Sequence, residues 1–121
     1  MRILIADDEA DLAELMSQWL LRKGYQTDVA RDGLKAMQLV REVRYAVAFL
    51  DFNLPEVTGI EIADYLRKNY PQTKTVLITG YPQIEDNFAK AMGVDEYMPK
   101  PLRLEDLEGV LAKLTHPETG R

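Results

Sequence analysis

Residues 45–51 read Tyr45-Ala46-Val47-Ala48-Phe49-Leu50-Asp51. Six residues with no polar interruption offer solvent no face. The run therefore predicts a strand over 45–50 that is covered on both sides, as strands of a parallel sheet are. It stops on a carboxylate, Asp51. Upstream, Ile3-Leu4-Ile5-Ala6 is a second such run and also stops on acid, at Asp7-Asp8-Glu9. Between the two, Leu12, Leu15, Met16, Trp19 and Leu20 recur at three- and four-residue steps, the period of a helix, and Gly24 is its stop. Tyr25–Val29 is a less apolar strand, expected nearer a sheet edge. Asp32 can cap a second helix, with Leu34, Met37, Leu39 and Val40 on or near its buried side.

Downstream of Asp51 the pattern repeats. A loop, Phe52-Asn53-Leu54-Pro55-Glu56-Val57, leads to Thr58-Gly59-Ile60-Glu61, which has the capping-box form Thr-x-x-Glu. The helix that starts there carries Ile62, Tyr65 and Leu66 and ends at Asn69-Tyr70-Pro71. Thr75-Val76-Leu77-Ile78 is a fourth strand, ending at Thr79-Gly80. Pro82 suits the entry to a fourth helix with Ile84, Phe88 and Met92 and a stop at Gly93. Glu96-Tyr97-Met98 is a short fifth strand, followed by Pro99-Lys100-Pro101. Leu104, Leu107, Val110, Leu111 and Leu114 form the apolar face of a last helix, in which Gly109 costs about 1 kcal/mol. Five βα units at this spacing predict an α/β fold, (βα)5, with a doubly wound five-stranded parallel sheet and right-handed crossovers.

At 121 residues the chain is one domain's length, long enough to bury a core without a metal or disulfide staple. There is no cysteine, which excludes disulfides, thiolate metal sites and thiol catalysis. The single histidine, His116, sits in a polar C-terminal stretch and reads as solvated, against a His-led mechanism. The net charge of −5 argues against a nucleic-acid face or an anionic membrane surface. No apolar run approaches the roughly 18–20 residues of a spanning helix, and the N-terminus turns acidic too soon for a signal peptide. A cytoplasmic domain is expected. The seven glycines form neither Gly-x-Gly-x-x-Gly nor a Walker loop, which disfavours nucleotide cofactors.

In an open α/β sheet the working site lies outside the carboxyl ends of the strands. Those ends deliver Asp7 and Asp8, Asp51, Thr79 and Lys100. Singly, each has an ordinary structural explanation: helix-dipole complement, turn former, loop residue. Together, three carboxylates repel one another and call for a compensating cation. With oxygen ligands only, Mg²⁺ is the natural choice, because it keeps waters and bridges to phosphate. A lysine charge and a threonine hydroxyl opposite it suit a phosphoryl group. A carboxylate can itself be the phosphoryl acceptor, and Asp51, at the end of the most buried strand, is the best placed.

These segments resemble the receiver domain of two-component response regulators over essentially all of residues 1–114. They are Ile5-Ala6-Asp7-Asp8-Glu9, Leu50-Asp51-Phe52-Asn53-Leu54-Pro55 through Gly59, Leu77-Ile78-Thr79-Gly80 and Glu96-Tyr97-Met98-Pro99-Lys100-Pro101. Each is weak alone; all four in order at the right strand ends are specific. The resemblance implies a flavodoxin-like sheet of order 2-1-3-4-5. It implies Asp51 as phosphoacceptor, Asp8 as direct Mg²⁺ ligand with Asp7 acting through water, and the Asn53 backbone carbonyl as a further ligand; Mn²⁺ is an alternative ion. Thr79 would hydrogen-bond the phosphoryl group, Lys100 would ion-pair with it, Tyr97 would change rotamer, and the bond to Pro101 would be cis. The donor would be a histidine kinase or a histidine phosphotransfer protein. The readout would be the face of the fourth helix, fifth strand and fifth helix, with Glu85, Asn87, Lys90, Glu96, Arg103 and Glu105 exposed on it. That face would control an attached output domain, an effector or a phosphorylation-dependent homodimer. Tyr81 is placed to tune the phosphoryl lifetime or is a plain loop aromatic. Residues 115–121 form a polar tail or a linker. Two alternatives stand beside this: a haloacid-dehalogenase-like phosphatase, which wants a second Asp where Asn53 stands, and a receiver-like interaction module that works without phosphate.

Overall fold

The computed structural model describes residues 1–80 and 92–115. Its sheet has five parallel strands, β1 (Arg2–Ala6), β2 (Gln26–Ala30), β3 (Val47–Asp51), β4 (Lys74–Thr79) and β5 (Glu96–Pro99), in the order β2-β1-β3-β4-β5. The described helices are α1 (Ala10–Arg22), α2 (Gly33–Glu42), α3 (Gly59–Asn69) and a C-terminal helix (Leu104–Thr115). None is long and apolar enough to cross a membrane. The expected fourth helix, with Pro82, Ile84 and Phe88, and residues Tyr81, Glu85, Asn87, Lys90 and His116 lie outside the described residues, as does most of the expected tail.

The apolar strands divide their side chains between two cores, since successive residues of a strand point to opposite faces. Leu4, Ala6, Ala48, Leu50 and Leu77 pack with Ala36 and Val40 of α2 and Ile62 and Leu66 of α3. Ile3, Ile5, Val47, Phe49, Val76 and Ile78 pack with Met16 and Leu20 of α1 and Leu107 and Leu111 of the C-terminal helix. β3, buried at every position, contributes to both, which is why residues 45–51 show no alternation.

The strand boundaries differ slightly from the sequence expectation, for identifiable reasons. Tyr45 stays outside β3: its carbonyl accepts the Thr73 hydroxyl at 2.7 Å and its phenol donates to Asp28 at 2.7 Å. Tyr25 is tied back to Leu20 O at 3.1 Å by the turn that ends α1, so β2 begins at Gln26. As expected, β2 is an edge strand. Two apolar residues expected on or near buried faces are exposed. Leu15 is 53% exposed because the small residues Ala13 and Ser17 occupy the stripe of α1 with Met16 and Leu20. Leu34 is 56% exposed because Gly33, Ala36 and Val40 carry the contact of α2.

Both expected helix starts are present. The Asp32 side chain accepts from Lys35 N–H at 2.7 Å. Thr58 and Glu61 exchange side-chain and backbone bonds at 3.2 and 3.0 Å. These helix starts clamp the loop that follows Asp51. Gly33 N–H donates to Pro55 O at 3.0 Å, and a Cβ at Gly33 would lie 2.0 Å from Val57 O. A Cβ at Gly59 would lie 2.4 Å from Asp51 O. Both obstacles are backbone, so neither can swing aside. Gly59→Ala is therefore expected to lower the unfolding free energy by about 1–3 kcal/mol, as overpacking does. Thr58→Ala, which loses only the cap, should cost about 1 kcal/mol. Urea denaturation of the two variants checks the order.

Candidate functional site

The register of the sheet assembles the site. β1 and β3 pair Ile3↔Val47, Ile5↔Phe49 and Ala6↔Leu50. One step further, Asp7 and Asp51 continue the Ile3–Ile5 and Val47–Phe49 series on the α1 side. β4 and β5 pair Ile78↔Met98, and two residues past Met98 comes Lys100. Three charged residues thus extend three apolar rows of one face to the carboxyl edge of the sheet. Thr79 extends the other face, after Thr75 and Leu77, and Tyr97, paired with Leu77, shares that face.

A cavity of about 350 Å³ opens at this edge, lined by Asp8, Glu9, Asp51, Asn53, Thr79, Gly80 and Lys100. Asp7, Asp51 and Thr79 are buried and Asp8 is exposed. Asp7, Asp8 and Asp51 each offer a carboxylate oxygen within 4.8 Å of the others. Asp7 Oδ1 accepts from Glu9 N–H at 2.8 Å. Asp51 Oδ1 accepts from Asn53 N–H at 3.3 Å. Lys100 Nζ lies 3.4 Å from Asp51 Oδ2 and 3.5 Å from Asp7 Oδ2, and nearer still to Glu9 Oε1. The Lys100 backbone N–H donates to Thr79 O at 2.8 Å, and the Lys100–Pro101 peptide is cis.

The site fits a hard divalent cation. Among the described residues Asp7 Oδ2 is buried with no hydrogen-bond partner and has the Lys100 ammonium, 3.5 Å away, as its ion-pair partner; a buried carboxylate oxygen with no hydrogen bond is well suited to a further cation. The donors are all oxygen, which suits Mg²⁺. Asp7, Asp8 and Asp51 would hold it, and Asn53 lines the same cavity.

Glu9 is the residue that sequence reasoning left without a role. Its signal was its place, directly after the acidic pair and ahead of α1. On the expected readout face, Arg103 and Glu105 are exposed. Glu96, expected to be exposed, is instead half-buried and paired with Lys113 at 3.0 Å.

Burial pushes the Asp7 carboxyl up to about 6, and the neighbouring Asp51 and Glu9 charges push the same way against the Glu9 N–H and Lys100. Burial alone would lower Lys100, but Glu9, Asp7 and Asp51 outweigh it and hold the ammonium at about 12. Lys100 thus stays charged throughout the neutral range. An acid whose folded pKa exceeds its unfolded value holds its proton more tightly when folded. Below the unfolded value of 3.8 both states are protonated and Asp7 costs nothing. The cost grows as pH rises through that value and is complete above about 6. In protein freed of metal by EDTA, Asp7 should therefore subtract roughly 1–3 kcal/mol of stability between acid and neutral pH, and Asp7→Asn should remove that component from urea titrations. Mg²⁺ competes with the same proton, so its affinity should rise across the same pH window.

The model of the response regulator receiver domain family matches residues 3–112. The chain is 34% identical over 122 residues to the transcriptional regulatory protein TctD of Salmonella typhimurium, covering all of this chain and 54% of that protein. It is also 34% identical to the transcriptional regulatory protein TrcR of Mycobacterium tuberculosis, over 97% of this chain and 48% of that one. It thus spans about half the length of these curated relatives. Among solved structures, the response regulator TrrA of Thermotoga maritima, in complex with Mg²⁺-BeF, superposes with a TM-score of 0.83 at 31% identity, covering 93% of this chain and 97% of that one. A CheY-like receiver domain protein of Methanospirillum hungatei superposes at 0.87 with 30% identity, covering 99% and 98%. Strand order, the acidic edge and these likenesses agree: the chain belongs to the response regulator receiver domain family and is the receiver domain of a two-component response regulator.

Proposed function

We propose that Asp51 accepts a phosphoryl group from phosphohistidine, on a histidine kinase or a phosphotransfer protein, in a Mg²⁺-dependent reaction. The observation that carries this is the placing of Asp51. It is a buried carboxylate at the end of the central strand, facing the cavity, with Lys100 Nζ 3.4 Å from Oδ2. An oxygen of Asp51 forms the bond to phosphorus as the bond from phosphorus to the donor's imidazole nitrogen breaks. The imidazole leaves with the electron pair and takes up a proton. When bound, Mg²⁺, or Mn²⁺ in its place, would supply charge neutralisation for the transfer. Asp8 would hold it directly, Asp7 would act through water, and the Asn53 carbonyl would contribute a further oxygen. Support for a Mg²⁺-dependent phosphoryl site comes from TrrA, whose structure is a complex with Mg²⁺-BeF, since beryllium fluoride is a tetrahedral mimic of a phosphoryl group.

Lys100 and Thr79 then engage the new group, which adds about −1.5 to −2 charges, as other phosphoresidues do. Tyr97 lies on the same sheet face as Thr79 and moves into the space that Thr79 leaves. The change biases a two-state element and is read on the face formed by β5, the C-terminal helix and the helix expected between β4 and β5. The receiver occupies residues 1–114, with 115–121 as tail or linker. The length of the relatives supports an attached output domain as the recipient, with phosphorylation-dependent pairing of two receivers as a route to it. The acidic chain leaves nucleic-acid contact to that output domain and has no role at a membrane. We place it in the cytoplasm and assign it no chemistry beyond its own phosphorylation and dephosphorylation.

Incubation with Mg²⁺ and acetyl phosphate should add one phosphoryl group, visible as a mass increase and labile to hydroxylamine. Asp51→Asn should abolish it. Equal, stable labelling of that variant would refute the assignment, and turnover of the donor without labelling would favour a phosphatase.

A further inference from the structure

Lys100 has a third carboxylate partner that the phosphoacceptor chemistry does not require. Its ammonium lies closer to Glu9 than to either Asp7 or Asp51. The Glu9 side chain is 58% exposed, whereas that of Lys100 is 20% exposed. Glu9 precedes the first turn of α1 and makes no side-chain cap to that helix. Its carboxylate therefore spends its bonding on Lys100 at the mouth of the cavity, which it also lines. An incoming phosphoryl group on Asp51 needs the same ammonium, and it enters a space already bordered by the Glu9 charge.

We propose that Glu9 is a positioning residue that holds Lys100 in the unphosphorylated receiver and competes with the phosphoryl group for it. This rests on Asp51 being the phosphoacceptor. Phosphorylation hands Lys100 from Glu9 to the new anion, and the exposed Glu9 side chain swings into solvent. The pair thus sets a threshold. Negative charge at Glu9 favours a divalent cation in the neighbouring acidic cluster and opposes the anion that follows it.

The two effects have opposite signs, which a loss of folding alone cannot produce. Glu9→Gln keeps the size and removes the charge. By calorimetry, the variant should bind Mg²⁺ alone about two- to fivefold more weakly, in keeping with the modest strength of partly exposed charge interactions. At saturating Mg²⁺ it should bind beryllium fluoride more tightly by a similar factor. The side-chain ammonium resonance of Lys100, followed by NMR in wild type without metal, should move on Glu9→Gln, and should move in wild type when Mg²⁺ and beryllium fluoride are added. Unchanged or weaker beryllium fluoride binding in a folded Glu9→Gln variant overturns the competition while leaving Asp51 as acceptor. Failure of the wild type both to bind beryllium fluoride and to be labelled at Asp51 overturns both.

Discussion

The Lys100 ammonium against a cluster of carboxylates is the constraint on which the rest of this molecule turns. Two unit charges 4 Å apart interact by about 4 kcal/mol in the intermediate dielectric near a protein surface. Asp7, Asp8 and Asp51 therefore strain against one another, and Lys100 is the cation set among them. Such a cluster survives only on a scaffold that cannot relax away from it. The scaffold is the pair of apolar cores, which bury β1 and β3 on both faces and leave Asp7 and Asp51 no route outward. That repulsion would make the edge responsive in the proposed reaction, because a divalent cation would relieve it and an added phosphoryl group would restore it.

The loop after Asp51 shows the same logic in the backbone. Gly33 and Gly59 let two helix starts approach it closely enough that any side chain there would collide with main-chain atoms. Asp32 and the Thr58–Glu61 box hold those helix starts in place. Asp51 is thereby located twice, by its strand and by the turn it enters. Phosphoryl transfer depends chiefly on position and charge, so this rigidity belongs to the chemistry as much as to the fold.

Most of this was legible in the chain. The unbroken run over 45–50 and the Thr58–Glu61 box are local patterns whose meaning does not depend on distant residues, and the acids and Lys100 became legible together because the strand order brings their strand ends to one edge. What was not legible depended on which residues of a helix meet the core and on partners far along the sequence. Leu15 and Leu34 look like core residues by period, yet Ala13 and Ser17, and Gly33 and Ala36, are buried on those helices in their place. Tyr45 looks like strand, yet its hydroxyl and carbonyl are claimed by Asp28 and Thr73. Glu96 looks like free surface, yet Lys113 on the C-terminal helix pairs with it. The hold of Glu9 on Lys100 joins residues 91 positions apart, and no window along the sequence could display it.

The division of the sheet into two faces has a consequence for how such a domain can diversify. Asp7, Asp51 and Lys100 hang from one set of rows, and Thr79 and Tyr97 from the other. Substitutions under Phe49 or Ile78 press on the first set, and those under Leu77 press on the second. Repacking one layer therefore presses first on Asp7, Asp51 and Lys100, and repacking the other presses first on Thr79 and Tyr97. The pleat of five short strands separates the two kinds of variation, and only the rim of the sheet, where the rows end together, must be kept whole.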